Sequence, residues 1–197
     1  MASSPFEIQL GPADVYRAPL GESFPAVEDA PAGNWELIAD AEHITEDGIV
    51  IRGNPDITLV RSLGTIAAVK AGMVARDFQL EFTVMDTRVE AQAVAYGADP
   101  DDAVTDTPAG GGAAGFRQVD VPIDPVPQGF ALLLRWDQSG YGDGYKSQYQ
   151  IYSAVQLGDG NGIFSKSTPF GQRHLWTALN SSAGFVRLVE QDAAVSP

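Results

Sequence analysis

Apolar and polar residues alternate most regularly over Asp77-Phe78-Gln79-Leu80-Glu81-Phe82-Thr83-Val84. Successive side chains of a strand point to opposite faces. The pattern therefore predicts a half-exposed strand over residues 73–85, with Phe78, Leu80, Phe82 and Val84 facing the core and Asp77, Gln79, Glu81 and Thr83 facing away. Shorter β-prone runs lie at 35–38, 57–60, 65–71, 116–121, 130–136, 149–157, 163–164, 175–176 and 185–189. Ile49 and Ile51 alternate with Val50 and Arg52 just after Thr45-Glu46-Asp47-Gly48, where Asp47-Gly48 predicts a hairpin turn.

Helical spacing occurs once, over about 87–97. Val89, Ala93 and Tyr96 form a stripe, Thr87 and Glu90 have the spacing of a capping box, and Gly97 stands where a helix stops in a left-handed residue. The expected fold class is thus mainly β, a β-sandwich or barrel-like domain with one short flanking α-helix.

Breakers divide the rest. Phe6-Glu7-Ile8-Gln9-Leu10 alternates like a strand, but prolines at 12, 19, 25 and 31 make residues 1–33 read as an extended N-terminal arm that docks on something. Residues 98–115 form an acidic, Gly/Pro-rich loop, and 192–197 a short C-terminal tail. No repeat and no domain-sized change of composition appears, so residues 1–197 read as a single domain.

Composition narrows the chemistry. Cysteine is absent, which excludes disulfides, thiolate metal sites and a cysteine nucleophile. The start lacks the basic and apolar stretches of a secretory signal and no run is long enough to span a bilayer, so the chain reads as cytosolically made, without a membrane anchor. With 26 acidic and 12 basic residues, the net charge of −14 disfavours nucleic-acid phosphates and anionic membranes.

Candidate motifs fail in context. Gly110-Gly111-Gly112-Ala113-Ala114-Gly115 formally matches a dinucleotide fingerprint but lacks the preceding strand and following helix. Asp159-Gly160-Asn161-Gly162 resembles part of a calcium loop, yet position twelve is Phe170. His43 and His174, the two histidines, lack the partners of a catalytic or metal site and read as surface or packing residues. No catalytic residue, cofactor or metal is expected, and the chain reads as a structural protein.

Longer phrases carry a resemblance. Residues 11–21, ending Ala18-Pro19-Leu20-Gly21, are followed by Trp35-Glu36-Leu37-Ile38 and Thr45-Glu46-Asp47-Gly48-Ile49-Val50-Ile51. Then come the strand ending Phe82-Thr83-Val84, the helix ending at Gly97, and Leu175-Trp176-Thr177-Ala178-Leu179 before Gly184-Phe185-Val186-Arg187-Leu188. In this order the chain resembles the tail tube (major tail) proteins of long-tailed, siphovirus-like bacteriophages. The resemblance implies a homohexameric ring whose strands join into a β-barrel, and stacking of rings into a virion tail tube. It further implies a tape-measure protein inside, tail terminator and tail-tip proteins at the ends, and passage of genomic DNA without specific binding. Asp77, Gln79, Glu81 and Thr83 would then line the channel. Residues 11–33, 98–115 and the tail are the expected ring-to-ring contacts.

Two other readings compete. One is a related tail terminator or adaptor. The other is a carbohydrate-binding or adhesive β-sandwich with Trp136, Tyr141, Tyr145, Tyr149 and Tyr152 as an aromatic platform.

Overall fold

The computed structural model describes residues 13–60, 70–110, 114–120, 128–139, 142–157, 162–163 and 170–191. Residues 1–12, most of the predicted strand at 65–71, the middle of the Gly110–Gly115 motif, Tyr141, most of the Asp159–Gly162 turn and the tail at 192–197 lie outside them.

Among the described residues, eleven strands and two short helices follow in the order β1 (Ala13–Pro19), β2 (Glu36–Ala39), β3 (Val50–Val60), β4 (Lys70–Val84), α1 (Val89–Ala95), α2 (Pro100–Ala103), β5 (Val104–Thr107), β6 (Phe116–Val119), β7 (Gly129–Ser139), β8 (Gly142–Gln156), β9 (Gly162–Ile163), β10 (Gly171–Ala178) and β11 (Val186–Glu190). The protein is mainly β, and every strand pairing is antiparallel. One nine-stranded sheet runs β2-β1-β7-β8-β10-β4-β3, with β11 added to β8 and β9 to β10; β5 and β6 form a separate hairpin.

The large sheet bends at β8. Phe130 pairs with Ala154 and Leu132 with Ile151, so two residues of β8, Tyr152 and Ser153, oppose Ala131 alone. Such a bulge sharpens the local twist and bends the strand. On one side of it, residues 147–151 of β8 pair with β11; on the other, 154–156 pair with β10. Changing partner at the bend lays β10-β4-β3 over β2-β1-β7-β8. Val15, Phe130, Leu132 and Leu134 thereby share a core with Phe78, Leu80, Phe82 and Trp176. The margins β2 and β3 are not paired to each other, so the sheet is curled but is not a closed barrel.

The turn at 45–48 forms, with Gly48 at φ +69° and its N–H on the Thr45 carbonyl at 2.8 Å. It does not close a hairpin, however. Ile44 bridges Val84 and β3 begins opposite Glu81, so the chain on both sides of the turn pairs with β4. β2 pairs with β1 instead.

The N-terminal arm is corrected in its described part. Residues 13–19 form β1 inside the sheet, between β2 and β7, where Val15 is fully buried. Pro19 falls at the strand's last residue, so its missing N–H removes no interior bond. Residues 20–34 then cross the outer face of the same sheet as a strap. Side-chain donors satisfy its carbonyls: Trp35 Nε1 bonds Ser23 O and Gln148 Nε2 bonds Pro25 O, both at 3.0 Å, while Arg135 Nη1 bonds Asp29 O. Phe24, Trp35, Ala18, Ala131 and Leu133 make a second small core beneath it. Both faces of β7 are therefore buried, which explains its continuous apolar run, Phe130 to Leu134.

The helix also differs from its expected start. Arg88 is the N-cap and makes no side-chain capping bond, so the Thr87–Glu90 box is not formed. Asp86 takes over locally, accepting the Arg88 N–H at 2.9 Å, while Glu90 turns away to pair with Arg117 of β6. The stop is as the sequence predicts. Gly97 has φ +75°, its N–H meets Val94 O, and Ala98 N–H reaches Ala93 O, both at 2.9 Å. These are the two bonds of a Schellman motif.

The acidic stretch 98–115 is not one loop. It holds the second helix, α2, capped by the Asp99 side chain with Pro100 in its first turn, and then β5. Arg117 of β6 closes this small unit by bridging Asp106 of β5 and Glu90 of α1.

Candidate functional site

The outward face of β4 is the candidate. Its strand alternation is regular: Phe78, Leu80, Phe82 and Val84 are buried, Gln79, Glu81 and Thr83 are half-buried, and Asp77 is exposed. Register supplies the neighbours. Gln79 lies between Arg52 and Thr177, Glu81 between Val50 and Leu175, and Thr83 beside Arg173. Directly opposed residues of antiparallel strands share a face, so these positions form one mixed surface across β3, β4 and β10.

Glu81 is its electrostatic centre. Arg173 donates to Glu81 Oε1 from Nε at 2.7 Å with Nη2 at 2.6 Å, and Arg52 Nη1 pairs with Oε2. Both arginines reach diagonally from the flanking strands. Burial alone would raise the carboxyl's pKa, but the hydrogen bonds from Arg52 and Arg173 and their charges outweigh it and hold the carboxylate below its ordinary range. Asp77 and Glu81 against Arg52 and Arg173 make this patch electrically balanced, although the whole chain carries −14. The sequence placed Arg52 on the polar side of its strand; it held no sign that Arg173, ninety-two residues from Glu81, would complete the clamp.

Behind this face the buried side chains stack on aromatic partners. Phe82 lies against His174, Phe78 against Tyr149 and Phe185, and Trp176 edge-on to Phe130. His174 is a packing residue, deep in the core, and burial pushes its pKa down to about 4. His43 is exposed, 4.0 Å from Asp40.

A second polar anchor is Arg17, the only basic residue before position 34. It is 4% exposed, stacks over Phe130 at 4.7 Å, and bonds Glu36 at 2.7 Å and Asp99 at 3.1 Å. It thus ties β1 to β2 and to the cap of α2.

Of the candidate platform residues, Trp136, Tyr149 and Tyr152 do not share one face. Trp136 and Tyr149 pack on each other at the main core, whereas Tyr152, in the bulge, faces Phe24 of the strap on the opposite side. Tyr152's ring is covered by Arg187 as well. Among the described residues no group of three or more His, Asp or Glu is arranged to hold a metal ion, and no helix is long and apolar enough to cross a membrane.

No protein-family model matches the chain, and no curated protein matches it.

Proposed function

We propose that this chain is a structural subunit of a bacteriophage tail tube, six copies forming a ring and rings stacking around a channel through which DNA leaves the virion. The observation that carries the reading is the outer edge of β3, which has no strand partner among the described residues. It is an 11-residue strand at the margin of the sheet, and β2 forms the other open margin. A long exposed edge is a hazard in a solitary protein and is removed when sibling copies pair edge to edge and close a ring.

The balanced face of β4 suits the same role. Duplex DNA carries about one charge per 1.7 Å, so a wall rich in free Lys and Arg would grip it. Here Arg52 and Arg173 are both paired with Glu81, and Asp77 on the same face balances the remaining charge. On this reading Asp77, Gln79, Glu81 and Thr83 line the bore, and the tape-measure, terminator and tail-tip proteins are the partners. The scattered aromatics give the carbohydrate-binding alternative no support.

Negative-stain microscopy and light scattering on concentrated protein test the proposal. Six-membered rings or tubes are expected; a monodisperse monomer across the accessible concentration range would overturn it.

A further inference from the structure

Beside the strap, the outer face of β8 floors a trough of about 940 Å³. Residues 20–27 of the strap form one wall, Arg187 and Val189 of β11 the other, and the turn at 180–183 borders it. Arg187 is directly opposed to Gln150, and Val189 to Gln148, so these four side chains share one face. The floor is a row of polar groups short of partners. Gln148 is fully buried; its Nε2 donates to the strap's Pro25 carbonyl at 3.0 Å, while its Oε1 has no donor among the described residues. Gln150, 6% exposed, makes no side-chain hydrogen bond among the described residues. A carboxamide both donates and accepts, and a buried one is ordinarily paired. Arg187 lies over the Tyr152 ring at 5.7 Å and meets no carboxylate among the described residues. Glu22, the acidic residue in the trough's lining, accepts from Asn34 at 2.8 Å instead.

Gln148 shows what this row can bind: a main-chain carbonyl of a segment laid over the sheet. Gln150 stands two residues along the same face, about 6.8 Å away, and carbonyls on one side of an extended chain recur at that repeat. From Gln148 to Tyr152 the floor runs about 13 Å, room for four extended residues. A second extended segment lying beside the strap would therefore give Gln150 and the free Gln148 oxygen main-chain partners. A carboxylate on that segment would meet Arg187. The chain is itself rich in such groups, with 26 acidic residues against 12 basic ones.

We propose that this trough receives an extended, carboxylate-bearing segment of a second copy of the chain, with its main-chain amides on Gln148 and Gln150 and its carboxylate on Arg187. The proposal rests on the tail-tube reading for the presence of a neighbour. It adds a contact distinct from edge pairing at β2 and β3, on the face between the strap and β11.

Ser182 is exposed and lines the trough, which makes it the site for a probe. Full-length protein with Ser182 replaced by photoreactive p-benzoylphenylalanine is irradiated at a concentration where light scattering shows assembly. The expected product is a covalent dimer whose second peptide contains Asp or Glu. Its yield should fall several-fold in Arg187→Glu and in Gln150→Leu, with circular dichroism showing both variants folded. Cross-links confined to one copy, or a dimer yield that neither substitution changes, would overturn the proposal and leave the tail-tube reading standing. Protein that never assembles would overturn both.

Discussion

His174 lies flat on Phe82, with ring centroids 5.0 Å apart and planes 5° from parallel. The two residues are directly opposed across β10 and β4, and neither imidazole nitrogen has a hydrogen-bond partner among the described residues. Burial accordingly keeps the ring neutral, with a pKa pushed down to about 4 from 6.5. Between those values the unfolded chain binds the proton and the folded one does not, so stability falls as pH drops through this window. The shift corresponds to an effect on the order of 3 kcal/mol. His174→Phe should remove that part of the pH dependence. Denaturant unfolding of both proteins at pH 7 and pH 4 checks it, and parallel losses in the two would refute the assignment.

Glu81 is held by two arginines from different strands, so its loss should be felt on both. Arg52 and Arg173 are each more than a third exposed, and screening limits either arm to about 0.5 kcal/mol. Glu81→Gln is therefore expected to destabilise by about 1 kcal/mol near neutrality. Because the folded carboxyl's pKa is depressed, this contribution is present above the ordinary carboxylate range and disappears as pH falls through the folded value. Chemical denaturation as a function of pH should show the gap between variant and wild type closing in acid.

Arg17 is buried while its partners Glu36 and Asp99 keep contact with water. Arg17→Met would leave carboxylates that can rehydrate, so the expected loss is about 2 kcal/mol rather than the larger cost of stranding a buried charge. Arg17→Lys should recover little of it, since one ammonium cannot reproduce the forked contact to Glu36 and Asp99 and the stack on Phe130. Hydrogen exchange should accelerate at α2, whose cap is one of the residues released.

Gly97 is the backbone stop of α1. A Cβ there would meet only Gln156 Cβ at 3.7 Å and Cγ at 3.9 Å, ordinary contacts, so any cost comes from the left-handed backbone itself. Gly97→Ala should lower stability by about 1–2 kcal/mol. Gly97→Asn, better tolerated at this conformation, should cost less. Thermal melts of the two variants give the ordering.

Local chemistry made several features legible. The two-residue period of 77–84 separates the buried from the outward residues of β4, because alternation is a property of any pleated strand. Gly97 marks the stop of α1, because few other residues adopt its conformation cheaply. The box at Thr87–Glu90 misled because Asp86 and Arg117 compete for the same groups, and Arg117 comes from a strand twenty-seven residues away. Prolines at 19, 25 and 31 suggest an extended arm; only the sheet shows that the first of them ends an interior strand and that Pro25 lies in a strap whose carbonyls meet donors from β7 and β8.

The sequence by itself determined the face that each of residues 77–84 of β4 presents, the mainly-β character, and the helix's C-terminal stop, since these depend on neighbours a few positions away. Tertiary structure alone decided that a bulge at Tyr152–Ser153 bends the sheet, that Arg52 and Arg173 converge on Glu81, and that β2 and β3 are the margins of the sheet among the described residues. Strand pairing brings together residues distant in the chain, and no local period encodes which distant partner will satisfy a given edge or charge.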